Sequence, residues 1–353
     1  MRRRHFLSLL ASVGLPQLSW ADVGSPTFLA AAREPSGEYA LFGLNAQGKD
    51  VFRIPLPARG HAAAAHPTAA EAVAFARRPG RFAMVLNCAS GGVSHRLEAP
   101  EGRHFYGHGT FLENGAILAT TENTIATGEG VIGLWARDEG YVRIGEIASG
   151  GIGPHDILRL PGDVLAVANG GIRTHPDQGR EKLNLDRMRP NLTYLTTHGG
   201  IEEQVSLSED LHQASIRHLA QHKGVVGFAM QWQGDLFDPV PLLGLHRRGG
   251  LAQLCTADLG EQLAMKGYAG SIAMTEDEIC ITSPRGGRMH VFDGQGTFKT
   301  ALNRADICGV AASDHGMMAT DGLGAIWHVD QNGLSRLGLA DRAWDNHLIR
   351  LAT

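Results

Sequence analysis

Short apolar runs separated by turn residues fill most of this chain, and one such pattern occurs twice in succession. Residues 107–119 and 154–166 align on their turn glycines; in each copy a histidine opens a short apolar strand, which a turn and a second strand follow. A helix would place apolar residues at i, i+3, i+4 and i+7, whereas these runs are rich in Ile, Leu and Val and end in hairpin turns. The repeated unit is therefore predicted to be an antiparallel β-meander.

Five further copies of this hairpin can be aligned along the chain, which makes seven units in all. They cover residues 28–44, 72–86, 214–228, 268–282 and 308–320. Outer strands follow most clearly at 131–136 and 141–147 in the third unit and at 325–329 and 334–337 in the seventh. A spacing of about 40 to 50 residues is typical of four-stranded propeller blades. The prediction is an all-β fold, a seven-bladed β-propeller, in which residues 345–351 close the ring against the N-terminal blade.

Composition supports one large domain built from repeats. The 353 residues are 43% apolar and include 46 glycines, which suits many short strands joined by tight turns. Residues 22–353 are predicted to form this single domain, interrupted by an inserted loop at about 170–200 whose long polar part covers 170–190. The formal net charge of -4 and the lack of any basic block argue against nucleic acid or an anionic membrane as a partner.

The first 21 residues have the pattern of an export signal. Three arginines at positions 2–4 precede an apolar stretch at 7–18, and Ser19-Trp20-Ala21 supplies small residues for a cleavage site. The run Arg-Arg-His-Phe-Leu resembles the twin-arginine signal, although an ordinary secretory signal shares the overall pattern. We therefore expect a periplasmic protein without a membrane anchor, and a monomer.

The four cysteines lie far apart in sequence, with no Cys-x-x-Cys pair. They are Cys88, Cys255, Cys280 and Cys308. In an oxidising compartment they could form two disulfides in any of three pairings, whereas the strand-like surroundings of Cys280 equally suit a buried free thiol.

Two histidines occupy equivalent positions in neighbouring units of the predicted propeller. His108 and His155 open the strands that should line the central channel, and the same alignment places Ala30, Val73, Ile216, Gly270 and Cys308 at the equivalent positions. His218 lies two residues beyond Ile216, on the same face of a strand. Imidazoles that converge on a cavity suit zinc, copper or iron. The predicted metal ligands are His104, His108, His155 and His218.

Other histidines, including His347, are interpreted as isolated residues, while His61 and His66 precede the second innermost strand. Asp156, Asn123 and Asn169 are candidates for orienting the ligands. The alternative is a water-filled pore in which these groups bond to backbone.

Cationic side chains form a second candidate group around one channel mouth. The guanidinium groups of the arginines could hold a carboxylate or phosphate-like ligand through two parallel hydrogen bonds. The insertion with His175 could act as a lid. Propeller arginines also bridge blades through backbone carbonyls, which is the alternative for Arg285. The cationic candidates are Arg103, Arg173, Arg180, Lys182, Arg217 and Arg285. The sequence contains no Gly-x-Ser-x-Gly elbow and no paired carboxylate pattern, so nucleophilic catalysis has little support.

Several longer strings resemble an uncharacterised family of exported bacterial propellers, domain-of-unknown-function family 1513. They are Gly102-Arg103-His104-Phe105-Tyr106-Gly107-His108-Gly109, Gly151-Ile152-Gly153-Pro154-His155, residues 167–177, Ser215-Ile216-Arg217-His218-Leu219 and Thr282-Ser283-Pro284-Arg285-Gly286. Asn191-Leu192-Thr193-Tyr194 departs from the expected Pro-Ser-Leu-x-Tyr, in what we take to be the insertion. Members often look to be encoded beside imelysin-like iron-uptake and dihaem-peroxidase-like proteins. The resemblance thus implies periplasmic iron handling.

The leading hypothesis is a periplasmic metal-binding or accessory propeller in iron or copper handling, with an imelysin-like iron-uptake protein as its partner. Two other classes stay open at this point. One is a metal-dependent enzyme on the same scaffold, either a lactonase-like hydrolase or a redox protein. The other is a protein-interaction module that uses its loop-rich face.

Overall fold

The computed structural model describes residues 18–76, 82–179 and 181–351, and β-strands dominate these ranges. Within them, seven four-stranded antiparallel sheets follow one another along the chain, and innermost strands of neighbouring sheets contact each other around a closed ring. The predicted seven-bladed β-propeller is confirmed. The predicted leader falls outside the described residues as far as position 17.

The first three blades use the following strands. Blade 1 contains β1 (Phe28–Arg33), β2 (Tyr39–Leu44) and β3 (Asp50–Leu56). Blade 2 contains β4 (Gly60–Ala65), β5 (Glu71–Ala76), β6 (Phe82–Asn87) and β7 (Gly92–Glu98). Blade 3 contains β8 (Arg103–Leu112), β9 (Ile117–Thr124), β10 (Glu129–Ala136) and β11 (Val142–Ile152).

The remaining blades continue in the same order. Blade 4 contains β12 (Pro154–Arg159), β13 (Leu165–Asn169), β14 (Asn191–Leu195) and β15 (Ile201–Ser206). Blade 5 contains β16 (Ala214–His222), β17 (Val225–Trp232), β18 (Leu243–Arg247) and β19 (Gln253–Cys255). Blade 6 contains β20 (Ser271–Met274), β21 (Glu278–Ser283), β22 (Arg288–Asp293) and β23 (Phe298–Asn303). Blade 7 contains β24 (Ile307–Ala312), β25 (Met317–Asp321), β26 (Ala325–Asp330) and β27 (Gly333–Leu339), and β28 (Ala343–Arg350) follows.

Helical segments are short and lie in the connections. One α-helix, α1 (Leu259–Ala264), occurs in the described residues, between blades 5 and 6. The 3-10 turns are Ala21–Val23, Glu113–Gly115, Pro161–Asp163, Pro176–Gln178, Leu185–Arg187 and Glu209–Leu211. Among the residues described, no helix is long and apolar enough to cross a membrane.

The ring closes through β28, which pairs with β1 and completes blade 1 as its innermost strand. The predicted closing role of residues 345–351 is thereby confirmed. The innermost strands of blades 1 and 2 are β28 and β4, so the positions assigned to Ala30 and Val73 were wrong: both lie on second strands. Strand β4 escaped notice because its sequence, Gly-His-Ala-Ala-Ala-Ala, lacks the β-branched and aromatic residues typical of strands.

Apolar side chains pack between neighbouring blades in several clusters, so each sheet is buried on both faces. One cluster joins Phe75 of blade 2 to Phe105 and Trp135 of blade 3. At the start of the described chain, Trp20 is buried beside blade 2, and its indole N–H donates to the carbonyl of His66 at 2.9 Å. A cut after Ala21, at the predicted leader boundary, would remove this contact.

The long insertion lies within blade 4, between β13 and β14, after the hairpin of the fourth unit. It ends at residue 190, because Asn191–Leu195 forms a buried strand. The departure from the family pattern at 191–194 therefore falls in a strand. Two 3-10 turns occur along the insertion, at Pro176–Gln178 and Leu185–Arg187, and no α-helix spans 182–188 in the described residues.

The four cysteines are free and buried, each in its own part of the core. The structure contains none of the possible disulfides, and the interpretation of Cys280 as a buried thiol is confirmed.

Candidate functional site

Breaks in strand pairing occur on the innermost strands near one level of the central channel. Among the strands described, β4, β8, β12, β16, β24 and β28 each shift register there. A bulge interrupts the strict alternation of side chains and can redirect one of them. Histidines stand at five of these six breaks, namely His61, His108, His155, His218 and His347.

These five histidines, here called the histidine cluster, contact one another across the channel. The His108 ring lies 4.9 Å from the His61 ring, 4.9 Å from His155, 5.9 Å from His218 and 4.8 Å from His347, centroid to centroid. The remaining close pairs are 4.8 to 5.3 Å apart. His108 thus contacts every other member.

Two sets of three histidines in the cluster present ring nitrogens close enough for a common metal ion. They are His61, His108 and His155, and His108, His218 and His347; within each set the ligand atoms all lie within 4.8 Å of one another. Bonds of about 2.1 Å at tetrahedral angles place two ligand nitrogens about 3.4 Å apart. The ligand atoms of either set would therefore have to approach one another by up to about 1.4 Å to hold one ion.

Buried ring nitrogens in the cluster lack hydrogen-bond partners among the described residues. These atoms are Nε2 of His108 and Nδ1 of His155 and His218. Buried polar atoms are normally satisfied, and leaving one unpaired costs about 1 to 3 kcal/mol. An ion held in the cluster is one way to satisfy unpaired nitrogens of this kind.

Asp156 fixes the orientation of His108. Its Oδ1 lies 3.0 Å from Nδ1 of His108, and its Oδ2 accepts from the backbone N–H of Leu219 at 2.9 Å. Burial raises the pKa of this carboxyl, but the charge and hydrogen bond of His108 and the Leu219 N–H lower it more, so the net shift is downward. A carboxylate on Nδ1–H leaves Nε2 as the ligand atom, as at many metal sites. Asp156 thus orients His108, not its sequence neighbour His155.

Two cluster members are held neutral. Burial is the main cause that lowers the pKa of His155 and of His218 well below the ordinary value, and nearby positive groups, including Arg217, add to it. Only a neutral imidazole has a lone pair free for a metal. Both side chains are therefore in the metal-binding form at neutral pH.

The cluster lies between two cavities. On one side is a cavity of about 190 Å³, here called the cationic vestibule, lined by His61, His155 and His218 of the cluster together with Lys182, Arg217 and Arg285. On the other side a wider cavity of about 450 Å³ is lined largely by alanines and other apolar residues of the innermost strands. The two sides of the cluster thus differ in charge.

Three of the four predicted ligands, His108, His155 and His218, belong to the cluster, whereas His104 is in neither triad. His104 is buried opposite Asn123, four residues before His108 and on the far side of the bulge.

Sequence reasoning did not assign His61 and His347 to the channel. Their strands are the two that the repeat alignment missed. The Gly60-His61 dipeptide, which repeats Gly107-His108, was the available signal for the first.

Neither predicted asparagine contacts the cluster. Asn123 is buried opposite His104, and its Oδ1 has no partner among the described residues. Asn169 donates to the carbonyl of Ser149 and to Oδ1 of Asn191, which ties blade 4 to blade 3. Asn169 therefore stabilises the packing of the two blades.

The predicted cationic residues fall into two sets, those that line the vestibule and those that do not. Lys182, Arg217 and Arg285 line the vestibule, whereas Arg103 pairs with a glutamate on β11 and Arg173 donates to a backbone carbonyl of blade 3. His175 accepts a hydrogen bond from its own turn. Arg180 lies outside the described residues.

A propeller whose channel is crossed by a histidine cluster is the class of protein that this fold and site define. The chain belongs to the family described as protein of unknown function, DUF1513, which matches residues 54–351. No curated protein matches the chain.

Solved structures share the fold at low sequence identity. A chain of a mitotic checkpoint complex is 11% identical with a TM-score of 0.55, and the match covers 78% of this chain and 75% of that one. The computationally designed Ika8 protein is 13% identical with a TM-score of 0.56, and the match covers 92% and 89%. Both likenesses show the fold alone.

Proposed function

We propose that this protein binds a transition-metal ion in the histidine cluster. The observation that carries the proposal is the pair of histidine triads that share His108, each with its ligand atoms within 4.8 Å. Imidazole ligands suit iron, copper and zinc. The carboxylate of Asp156 on His108 supplies the support that metal-binding histidines usually need.

A purely structural pore explains the cluster less well. Buried histidines that only fill space normally bond to backbone or to other side chains. Here ring nitrogens of His108, His155 and His218 have no such partner among the described residues. Bulges on five separate strands also bring the imidazoles to one level, which packing alone does not require.

The wider role that we propose is that of a periplasmic accessory protein in iron or copper handling. The leader-like sequence at 1–21 supports export, and the twin-arginine route carries folded proteins, so an ion could be bound before export. An imelysin-like iron-uptake protein is the proposed partner, on the basis of the resemblance in sequence. Co-purification of the two proteins would test that step.

Metal analysis of protein purified without chelators tests the site directly. We expect iron, copper or zinc at close to one ion per chain in the wild type, and a loss to background in His108→Gln, because His108 belongs to both triads. Glutamine keeps a donor for Asp156 and so protects the fold. His155→Gln removes only the first triad and His218→Gln only the second, so whichever variant loses the ion identifies the triad.

The control is His198→Gln, since His198 is exposed and lies outside the cluster. Circular dichroism establishes that each variant is folded. A wild-type protein that holds no metal above background, even after incubation with each ion, would refute the proposal.

An enzyme on this scaffold would bind the same ion but also convert a substrate. A panel of lactones assayed with metal-loaded protein separates the two roles. Metal bound without turnover favours the binding role.

A further inference from the structure

The cationic vestibule has the features of a second binding site. Its walls carry three basic side chains, Lys182, Arg217 and Arg285, and none of the described residues that line it is acidic. Two of these side chains are held in place: Lys182 Nζ donates to Oε1 of Gln233 at 2.6 Å, and the Arg285 guanidinium stacks on the ring of Tyr268 at 4.3 Å. The positive charges therefore face a common space.

Bringing these cations together is unfavourable without a counter-charge. Burial is the first cause that lowers the pKa of Lys182, and repulsion from Arg217 and Arg285 adds to it. Arg217 itself is nine-tenths buried. Like charges repel more strongly in a partly buried site than in water, so an anion placed among them lowers this cost.

A metal ion in the cluster would increase the excess of positive charge. Imidazoles bind a metal without adding negative charge, and Asp156 contributes one carboxylate to the cluster. A divalent ion, the three basic groups and one carboxylate together leave a net charge of about +4 at the site. An anion in the vestibule would reduce this excess and could bind beside the ion.

We propose that the vestibule binds a small oxyanion, a carboxylate or a phosphate, whose negative oxygens lie between the three basic side chains and the histidine cluster. Arginine forks match both groups because they can donate two parallel hydrogen bonds to them. The volume of about 190 Å³ is below the range of about 300 to 1,000 Å³ typical of drug-sized ligands, which favours a compact anion. The placement beside the ion rests on the proposed function, whereas the attraction to the three cations does not.

Calorimetric titration with malonate and with inorganic phosphate tests the proposal and separates the two chemistries. Metal-stripped protein is titrated first, and metal-loaded protein second with its metal content checked afterwards. We expect at least one anion to bind in both states, and at least tenfold more tightly with metal. In the double variant Lys182→Gln/Arg285→Gln we expect affinity to fall at least tenfold while the metal content is unchanged.

The matched control is Arg187→Gln/Lys223→Gln, which removes the same two charge types from exposed positions outside the vestibule. It should bind the anion like the wild type. Equal affinity in both double variants, or no binding of either anion by wild-type protein, would overturn the proposal. A wild type that binds an anion but no metal would instead refute the proposed function and leave the anion site standing.

Discussion

His108 is the residue on which the geometry of the cluster depends. Its ring contacts each of the other four imidazoles, and it belongs to both triads. The Asp156 carboxylate accepts from Nδ1, which directs Nε2 toward its neighbours. The same carboxylate accepts the backbone N–H of Leu219, so blades 3, 4 and 5 meet at this one side chain.

Replacing Asp156 with asparagine should weaken metal binding while preserving the fold. The amide oxygen can still accept from Leu219, but one carboxylate oxygen is lost, and His108 no longer has an anionic partner. Loss of such a partner typically lowers metal affinity about 10- to 100-fold. Competition with a chromophoric chelator measures the change.

Asp163→Asn is the control, because it removes the same charge from a turn of the same blade, where Asp163 pairs with Arg159. If Asp156→Asn and the wild type bind metal equally well, Asp156 does not position His108.

The sequence reveals those ligands that occupy equivalent positions in hairpins whose two strands follow each other along the chain. His108 and His155 followed from the aligned repeats, and His218 followed from strand alternation. His104 is in neither triad: the bulge between Phe105 and Gly109 breaks that alternation, and no local signal marks a bulge there. His347 was not assigned to the channel, because the sequence does not show that the closing strand becomes the innermost strand of blade 1.

At the scale of elements, strands with ordinary β-formers were predictable and those without them were not. The outer strands β10 and β26 begin and end within one or two residues of their predicted bounds. Strand β4 was missed because alanine has no β-preference, so the hairpin that follows it was read as the start of the blade. Burial between two blades, not local propensity, keeps β4 extended.

Strand β22 supplies a pH-dependent contribution to stability through His290. This side chain is buried beside Phe292 and Phe298, and burial lowers its pKa to about 4, although Glu261 opposes the shift. Below about pH 6.5 His290 becomes protonated in the unfolded chain but stays neutral in the folded protein. The free energy of unfolding therefore falls as the pH drops toward 4. We expect His290 alone to lower the free energy of unfolding by about 2 kcal/mol between pH 7 and pH 5.

Urea unfolding of His290→Gln at pH 7 and pH 5 measures this contribution. The drop in the free energy of unfolding between the two pH values should be about 2 kcal/mol smaller in the variant than in the wild type. The exposed His198→Gln variant should retain the wild-type pH dependence. Identical pH dependence in wild type and His290→Gln would mean that His290 is protonated in the folded protein.

At the scale of the whole molecule, the ring depends on repeated blade geometry more than on particular residues. Structures only 11% and 13% identical share the fold. The number of blades was therefore predictable from the repeats. The closing strand was suggested by its apolar pattern, but its effect was not: it displaces β1 to second place in blade 1 and brings His347 into the channel.

Blade 1 is the one blade, in the described part of the chain, that joins strands distant in sequence. Its β28 pairs with β1, Phe28 opposite Arg350 and Leu29 opposite Ile349, and Arg59 pairs with Asp345 across the joint to blade 2. In the other blades a short connection links the innermost strand to its partner. Local opening costs least where no such connection holds the pair together.

Hydrogen exchange followed by mass spectrometry should therefore find the metal-stripped protein least protected at β28. The backbone amides of β28 should exchange faster than those of β20, the innermost strand of blade 6, whose hairpin is contiguous and which carries no histidine of the cluster. A bound ion should slow exchange in β28, because a ligand that binds only the closed ring stabilises it by mass action and His347 carries that strand into the site. His108→Gln should show no such slowing. If metal protects β20 and β28 equally, or protects the variant as well, ring closure and the histidine cluster are not coupled through His347.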